Sequence, residues 1–380
     1  MSTGSVTRGG SRLARARRVV VKIGSALLVE RAAGRVNRAW LESLAEDVTR
    51  LRKRGQEVVI VSSGAIALGR RQLDLAPGRL RLEESQASAA VGQIRLAHAW
   101  KEVLEPHGFA VAQMLLTLGD TEERRRYLNA RSTLETLLKL GAIPVVNEND
   151  TVATAEIRYG DNDRLAALIA HNIGAAVLVL LTDLDGLYTA DPRAHPDAAL
   201  VSRVNADDPL LAIRAGGRSG SGRGSGGMAG KLEAARIASW SGVRTVIANA
   251  ARPGVVAGAI ADEPVGTSFE AHRRKLSARK LWIAFASRVA GTVTVDDGAR
   301  RALVERPTSL LPAGVVDVAG RFGEGDTVDV AGTDGVPFAR GMVFVEAAQL
   351  RKVAGRHTSE LPPGMVHEVI HRDDLVLLPG

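Results

Sequence analysis

The chain contains no cysteine. That absence removes disulfides, thiolate metal sites and cysteine nucleophiles together, and it permits a cytoplasmic location. Aromatic residues make up only 3% of the sequence, so stacking platforms for single-stranded nucleic acid are scarce. Long apolar runs are missing too. The strongest, Ala175 to Leu181, is far shorter than a bilayer crossing requires. The eight histidines form no HExxH or other metal pair, and no GxSxG elbow occurs, so neither a dedicated metal site nor a Ser-His-Asp set is expected. Arg8, Arg12, Arg15, Arg17 and Arg18 precede the first strand with no apolar h-region of a signal peptide after them. No signal peptide is therefore expected, and residues 1–17 read as a solvated basic tail rather than a nucleic-acid arm.

What is present suits a soluble, folded protein. The 380 residues are enough for two domains, one with a well-buried core, and 45% hydrophobic with 24% charged residues argues against disorder. The formal net charge is +8 and the pI near 10.1.

Strand-like and helix-like segments alternate from residue 19 to about residue 250. Buried strands are expected at 19–23, 57–61, 142–146, 177–181 and 244–248, each a run of Val, Ile or Leu. Helical spacing recurs at Leu41, Leu44, Val48 and Leu51, through 87–104, at Leu134, Leu137 and Leu138, and at Leu165, Leu168 and Ile169. Near-continuous apolar strands separated by helices predict an α/β fold, with a mostly parallel open sheet sandwiched by helices. After about residue 275 the texture changes. The run Lys280 to Phe285 opens a region of short strand-like segments at 291–295, 314–318 and 326–330, broken by Gly, Pro and Asp. This predicts a small β-rich domain over 276–380, with Arg273-Arg274-Lys275 as the boundary after a domain spanning 18–272.

The most informative stretch is 142–168. Its first strand delivers Asn147, Glu148, Asn149 and Asp150, and a loop returns with Asp161, Asn162 and Asp163 before a helix. Asp and Asn form turns and cap helices in any protein. Two such clusters within a few residues, in a basic chain, favour a site for a charged polar ligand at the sheet edge where ligands bind. Lys22 lies inside an otherwise apolar strand, costly unless it is paired or reaches solvent, and Gly24 beside it lets a ligand approach the backbone. Ser62-Ser63-Gly64 forms another strand-to-helix turn with donors for an anion. The tract Gly216 to Gly230 reads equally as a flexible linker or as a glycine-rich loop presenting N–H groups to an anion before the helix at Lys231. It is not a P-loop, because Ser225 replaces the first Walker glycine and Leu232 the Ser or Thr after the lysine. Two lysines, anion-binding turns and carboxylates are what phosphoryl transfer requires, since that chemistry is mostly positioning and charge stabilisation.

The segments VVVKIGSALL, VVIVSSGAIALGRRQL, AAVGQIRL, YLNARSTLETLL, PVVNENDTVATAEIRYGDNDRLAAL, LLTDLDGLYTADPR and GSGGMAGKLEAA lie in order over 19–250. Together they resemble the glutamate 5-kinase family of the amino-acid kinase superfamily. The later SLLPAGVVDVAGRFGEGDTVDV, ARGMV and HRDDLVLL resemble the PUA domain appended to many bacterial members.

The resemblance implies ATP- and Mg²⁺-dependent phosphorylation of the γ-carboxylate of L-glutamate, the first step of proline synthesis. It implies catalytic roles for Lys22, Lys231 and Asp163, the last orienting both lysines. Ser63, Asp150 and Asn162 would bind glutamate, with Gly64 and Asn147 nearby. Lys22, Thr182, Asp183, Ser225, Gly226, Gly227, Met228, Ala229, Gly230 and Lys231 would hold ATP. It also implies feedback inhibition by proline and assembly into a homo-oligomer, dimer or tetramer. Sister kinases acting on acetylglutamate, aspartate or UMP are the enzyme alternative. A PUA-like domain raises RNA as a partner, but the scarcity of aromatics favours a structural or regulatory domain. Where the family's loop carries two threonines, this chain has Ser225 and Gly230.

Overall fold

The computed structural model describes residues 16–30, 34–76, 78–152, 162–211, 227–273, 276–361 and 367–378. These form two compact units. The first is drawn from residues 16–273 without 121–124 and 207–211; the second joins those two short segments to residues 276–378. No helix among the described residues is long and apolar enough to cross a membrane.

The first unit is built on β1 (Arg18–Ile23), β4 (Glu57–Ser62), β5 (Val111–Leu116), β6 (Ile143–Glu148), β7 (Val177–Thr182), β8 (Arg203–Val204), β9 (Arg244–Asn249) and β10 (Thr267–Phe269). A short hairpin of β2 (Val29–Glu30) and β3 (Arg35–Val36) lies beside them. The eight-stranded sheet runs β5-β6-β4-β1-β7-β9-β10-β8. Its pairings from β5 to β9 are all parallel; only β10 runs antiparallel to β9. Every residue of β6 and β7 is buried, which is why the sequence shows unbroken apolar runs instead of alternation. The connecting helices are α1 (Ser25–Leu28), α2 (Arg38–Lys53), α3 (Ala65–Gln72), α4 (Leu82–Leu104), α5 (Leu118–Glu122), α6 (Arg124–Lys139), α7 (Asn162–Asn172), α8 (Met228–Trp240) and α9 (Val255–Ala261). One continuous core joins Val19, Val21 and Ile23 of β1 to Leu41, Val48 and Leu51 of α2 and to Leu96 and Trp100 of α4.

The chain completes one side of the sheet, β4 to β6, before it builds the other, β7 to β10, so the strand order reverses at β1. Open α/β sheets place ligands beside such a reversal, at the carboxyl ends of the strands. In that register Lys22 lies between Val61 of β4 and Leu180 of β7, and Ile23 lies beside Ser62. At the same edge Thr182 pairs with Asn249, and Glu148 with Leu116.

Two details differ from the sequence reading. The strand expected at 142–146 runs on to Glu148, because parallel pairing with β5 continues through Asn147. The edge strand β5 itself was not among the expected strands. It pairs with β6 alone, and five of its six residues are only partly buried or exposed.

In the second unit, β11 (Val289–Val295), β12 (Val315–Gly320), β13 (Thr327–Ala331), β14 (Pro337–Val343) and β15 (Ile370–Leu377) form a sheet ordered β12-β11-β13-β14-β15. Val293, Val328, Val330, Val343, Leu350 and Ile370 make its core. The strands at 291–295, 314–318 and 326–330 are present to within a residue or two. The opening run 280–285 is helical. Helix α10 (Ala278–Leu281), capped by Ser277, continues into a π-helical turn, Trp282–Ala286. All five residues of that turn are buried, and Trp282 Nε1 donates to Thr121 O at 3.1 Å. Burial on every side hides helical periodicity, and a short apolar run then reads equally as strand. Helices α11 (Asp297–Glu305) and α12 (Ala347–Val353) complete the unit.

Candidate active site

Asp163 stands in the first turn of α7 and is fully buried; Lys22 and Lys231 are each 4% exposed. Lys22 Nζ lies 2.6 Å from Asp163 Oδ1, and Lys231 Nζ lies 3.0 Å from Asp163 Oδ2. One carboxylate therefore holds two ammonium groups from separate elements, one on the central strand and one on α8. Taking each ion out of water costs several kcal/mol. A buried cluster of this kind is weak as a stabiliser, and it is well suited to meeting a charged ligand. Lys231 also sits near the positive end of the α8 dipole, where a cation is disfavoured. Asp163 supplies the compensating charge, itself favoured in the first turn of α7.

The start of α8 points to an anion for a second reason. Its N-cap is Gly227, which offers no side chain to the first-turn amides. Such a helix end leaves N–H groups and a partial positive charge to be satisfied by a ligand. Gly227, Met228, Ala229, Gly230 and Lys231 all lie on this turn. Ser225 and Gly226, expected with them, lie outside the described residues, as do Asp161, the Arg214–Gly224 tract and most of the basic tail. Across the sheet edge Gly24 follows Lys22, and a Cβ built there would meet nothing within 4 Å. The backbone beside the lysine pair is thus open to close approach.

An amide cluster occupies the ends of β4 and β6. Asn162 Nδ2 donates to Ser63 Oγ at 2.8 Å and to Asn147 Oδ1 at 3.1 Å. Asn147 Nδ2 donates to Gln93 Oε1 at 2.7 Å, and Glu148 N donates to Asn147 Oδ1 at 2.9 Å. Asn147, Asn162 and Gln93 are all buried. Asp150, two residues past β6, is partly buried, and burial pushes its carboxyl up to about 6. Ser63 and Gly64 form the turn into α3. Gly64 has φ +112°, a left-handed conformation that a side chain would strain.

Thr182 ends β7 in a buried position, and its hydroxyl donates to Asp183 Oδ1 at 3.2 Å. Asp183 is exposed and faces Arg193 at 3.3 Å. The register places Thr182 on the same edge as Gly24. The structure thus joins Lys22, Asp163 and Lys231 in one cluster and Ser63, Asn147 and Asn162 in another. Asn162 and Asp163, adjacent in α7, link the two. The residue that sequence reasoning passed over is Gln93. It lies inside the quoted segment AAVGQIRL, but mid-helix nothing marks it as different from any polar position.

Two family models match the chain. The model of the amino acid kinase family matches residues 17–249, and that of the PUA domain matches residues 291–364. A glutamate 5-kinase from Paramagnetospirillum magneticum is 52% identical over 371 residues, covering 97% of this chain and 99% of that protein. One from Rhizobium etli is 50% identical, with 96% and 94% covered. Among solved structures, a UMP kinase from Bacillus anthracis aligns with a TM-score of 0.47 at 18% identity, covering 67% of this chain and 96% of that one.

Proposed function

The chain belongs to the amino acid kinase family, within its glutamate 5-kinase branch, and on that premise we propose that it transfers the γ-phosphoryl group of ATP to the γ-carboxylate of L-glutamate. A carboxylate oxygen forms the new P–O bond, the bond to the departing ADP breaks, and L-glutamyl 5-phosphate results, the first step of proline synthesis. The observation that carries this reading is the pair of buried lysines on one carboxylate, at 2.6 and 3.0 Å.

In this reading Lys22 and Lys231 neutralise the charge spread over the transferring phosphoryl group, and Asp163 keeps both ammonium groups on station. The uncapped start of α8, from Gly227 to Lys231, takes the phosphates, with Thr182 and Asp183 on the nucleotide side. Ser63, Asn147, Asp150 and Asn162 hold glutamate, and Gly64 allows the turn that presents Ser63. The acceptor carboxylate is already ionised at neutral pH, so no general base is required. Mg²⁺ bound with the nucleotide would offset phosphate charge. Among the described residues no group of three or more His, Asp or Glu is arranged to hold a metal.

The acidic and amide lining favours a free amino group over acetylglutamate or UMP. Residues 276–380 carry 12 Lys and Arg against 13 Asp and Glu. That balance gives no basic footprint for nucleic acid, and it supports a structural or regulatory PUA-like domain. Family membership also supports a cytoplasmic homo-oligomer restrained by proline. The test is ATP turnover with glutamate, aspartate, acetylglutamate or UMP as acceptor, with and without proline, and with hydroxylamine trapping the acyl phosphate formed from the three carboxylate acceptors. ATP turnover on another acceptor and none on glutamate overturns the assignment.

A further inference from the structure

The hydrogen bonds of the amide cluster have a direction, and one backbone group sets it. Glu148 N–H can only donate, so the Asn147 side-chain atom 2.9 Å away is oxygen. The Asn147 NH₂ group then faces Gln93, which must present its own oxygen at 2.7 Å. Asn162 meets an Asn147 oxygen that carries no proton, so it must present nitrogen there, at 3.1 Å. Its second N–H goes to Ser63 Oγ at 2.8 Å. Both N–H bonds of Asn162 are now used. Its Oδ1 is buried with no hydrogen-bond partner among the described residues, in a side chain only 6% exposed. A buried acceptor without a donor costs about 1–3 kcal/mol, and a ligand N–H removes that cost. Ser63 Oγ, already accepting from Asn162, keeps its own proton to give away.

We propose that Gln93 is a positioning residue for the amino-acid substrate: by accepting from Asn147 it locks the relay Gln93–Asn147–Asn162 so that Asn162 Oδ1 receives the substrate ammonium and the Ser63 hydroxyl donates to a substrate carboxylate. This rests on the function proposed above and extends it to a residue on α4 that touches no substrate atom. Amides can present either end, and a relay with one end pinned by the backbone is oriented before the ligand arrives, which lowers the cost of binding.

The test uses the full chain and two dicarboxylates, L-glutamate and glutarate, which lacks the ammonium. Glutarate is followed as substrate or as competitive inhibitor. Gln93→Met removes the acceptor at similar length. It is expected to raise KM for glutamate about fivefold to tenfold, leave kcat within about twofold and weaken glutarate, which lacks the ammonium and keeps only the Ser63 contact, by no more than about twofold. Gln93→Glu keeps an oxygen towards Asn147 and is expected to stay within about twofold of the parent. A structural role alone would weaken both dicarboxylates equally. Equal weakening, an unchanged KM in Gln93→Met, or a Gln93→Glu variant as impaired as Gln93→Met would each overturn the proposal. If Gln93→Met does not fold, Gln93→Leu, which also removes the acceptor, is read in its place against the same outcomes. A parent chain that forms no hydroxamate from glutamate removes the functional reading and this proposal together, whereas failure confined to the variants leaves the function standing.

Discussion

Lys231 Nζ lies 3.0 Å from Asp163 Oδ2, an ion pair that ties the first turns of two helices together. Each residue sits at the positive end of its own helix. The aspartate is well placed there and the lysine badly, so the pair holds a cation where helix electrostatics alone would not keep one.

Lys22→Ala and Lys231→Ala should each lower kcat by about 10²–10³-fold, the usual effect of losing one charge contact to a transition state. Steady-state kinetics with saturating glutamate and ATP measure it. Near-normal turnover in both variants would remove the lysines from the chemistry.

Asp163→Asn leaves two buried ammonium groups without the carboxylate they share. Breaking a buried pair by removing one partner costs about 3–5 kcal/mol, so the melting temperature should fall by at least about 5 °C, with kcat falling alongside. An unchanged melting curve would mean that other groups carry the charge balance.

Asp150 gives a pH signature. Burial raises its carboxyl to about 6, so in the free protein it becomes charged as pH rises through that value. If it pairs with the substrate ammonium, KM for glutamate should climb as pH drops below about 6, approaching tenfold per pH unit, while KM for ATP stays flat. Asp150→Asn should have a high KM at all pH values and no such slope. The sign for stability is opposite. The folded state holds this proton more tightly than an unfolded chain, whose carboxyl titrates near ~4, so this group's contribution is lost as pH rises from about 4 to about 6. A wild-type KM for glutamate independent of pH between 5 and 7 would exclude Asp150 from the ammonium site.

Gly64→Ala should destabilise the protein by about 1–3 kcal/mol. The residue has φ +112°, and a Cβ would stand 3.3 Å from Val29 Cγ2. Urea unfolding measures the loss, and because the turn carries Ser63, KM for glutamate should rise with it. A stable variant with unchanged KM would show that the turn tolerates another path.

Much of this was legible in the chain itself. Val19 to Ile23, Val58 to Val61 and Val177 to Leu181 could be read as strands because a sheet covered on both faces leaves, Lys22 apart, no polar positions to confuse the pattern. The acid and amide clusters around Asp150 and Asn162 suggested a site, and motif resemblance named Lys22, Lys231 and Asp163, which the structure brings together. Other features are tertiary. The run Lys280 to Phe285 gives no helical signal because nothing local reports the burial that winds Trp282 to Ala286 into a helical turn. Val111 to Leu116 lies at a sheet edge, where the apolar signal thins. Gln93 acquires meaning only from the asparagine that faces it.

That facing depends on a contact with no chemistry in it. Helices α3 and α4 cross so closely that a Cβ on Gly92 would fall 1.8 Å from Ala65 O, and one on Gly69 would fall 1.8 Å from Ser88 O. The crossing point lies one residue before Gln93 on one helix and one residue after Gly64 on the other. The two glycines therefore act as a spacer gauge: the thickness of two bare backbones sets how far the Gln93 amide reaches and where the Ser63 turn stands. A methyl group on either glycine would force the two helices apart and shift Gln93 relative to Asn147.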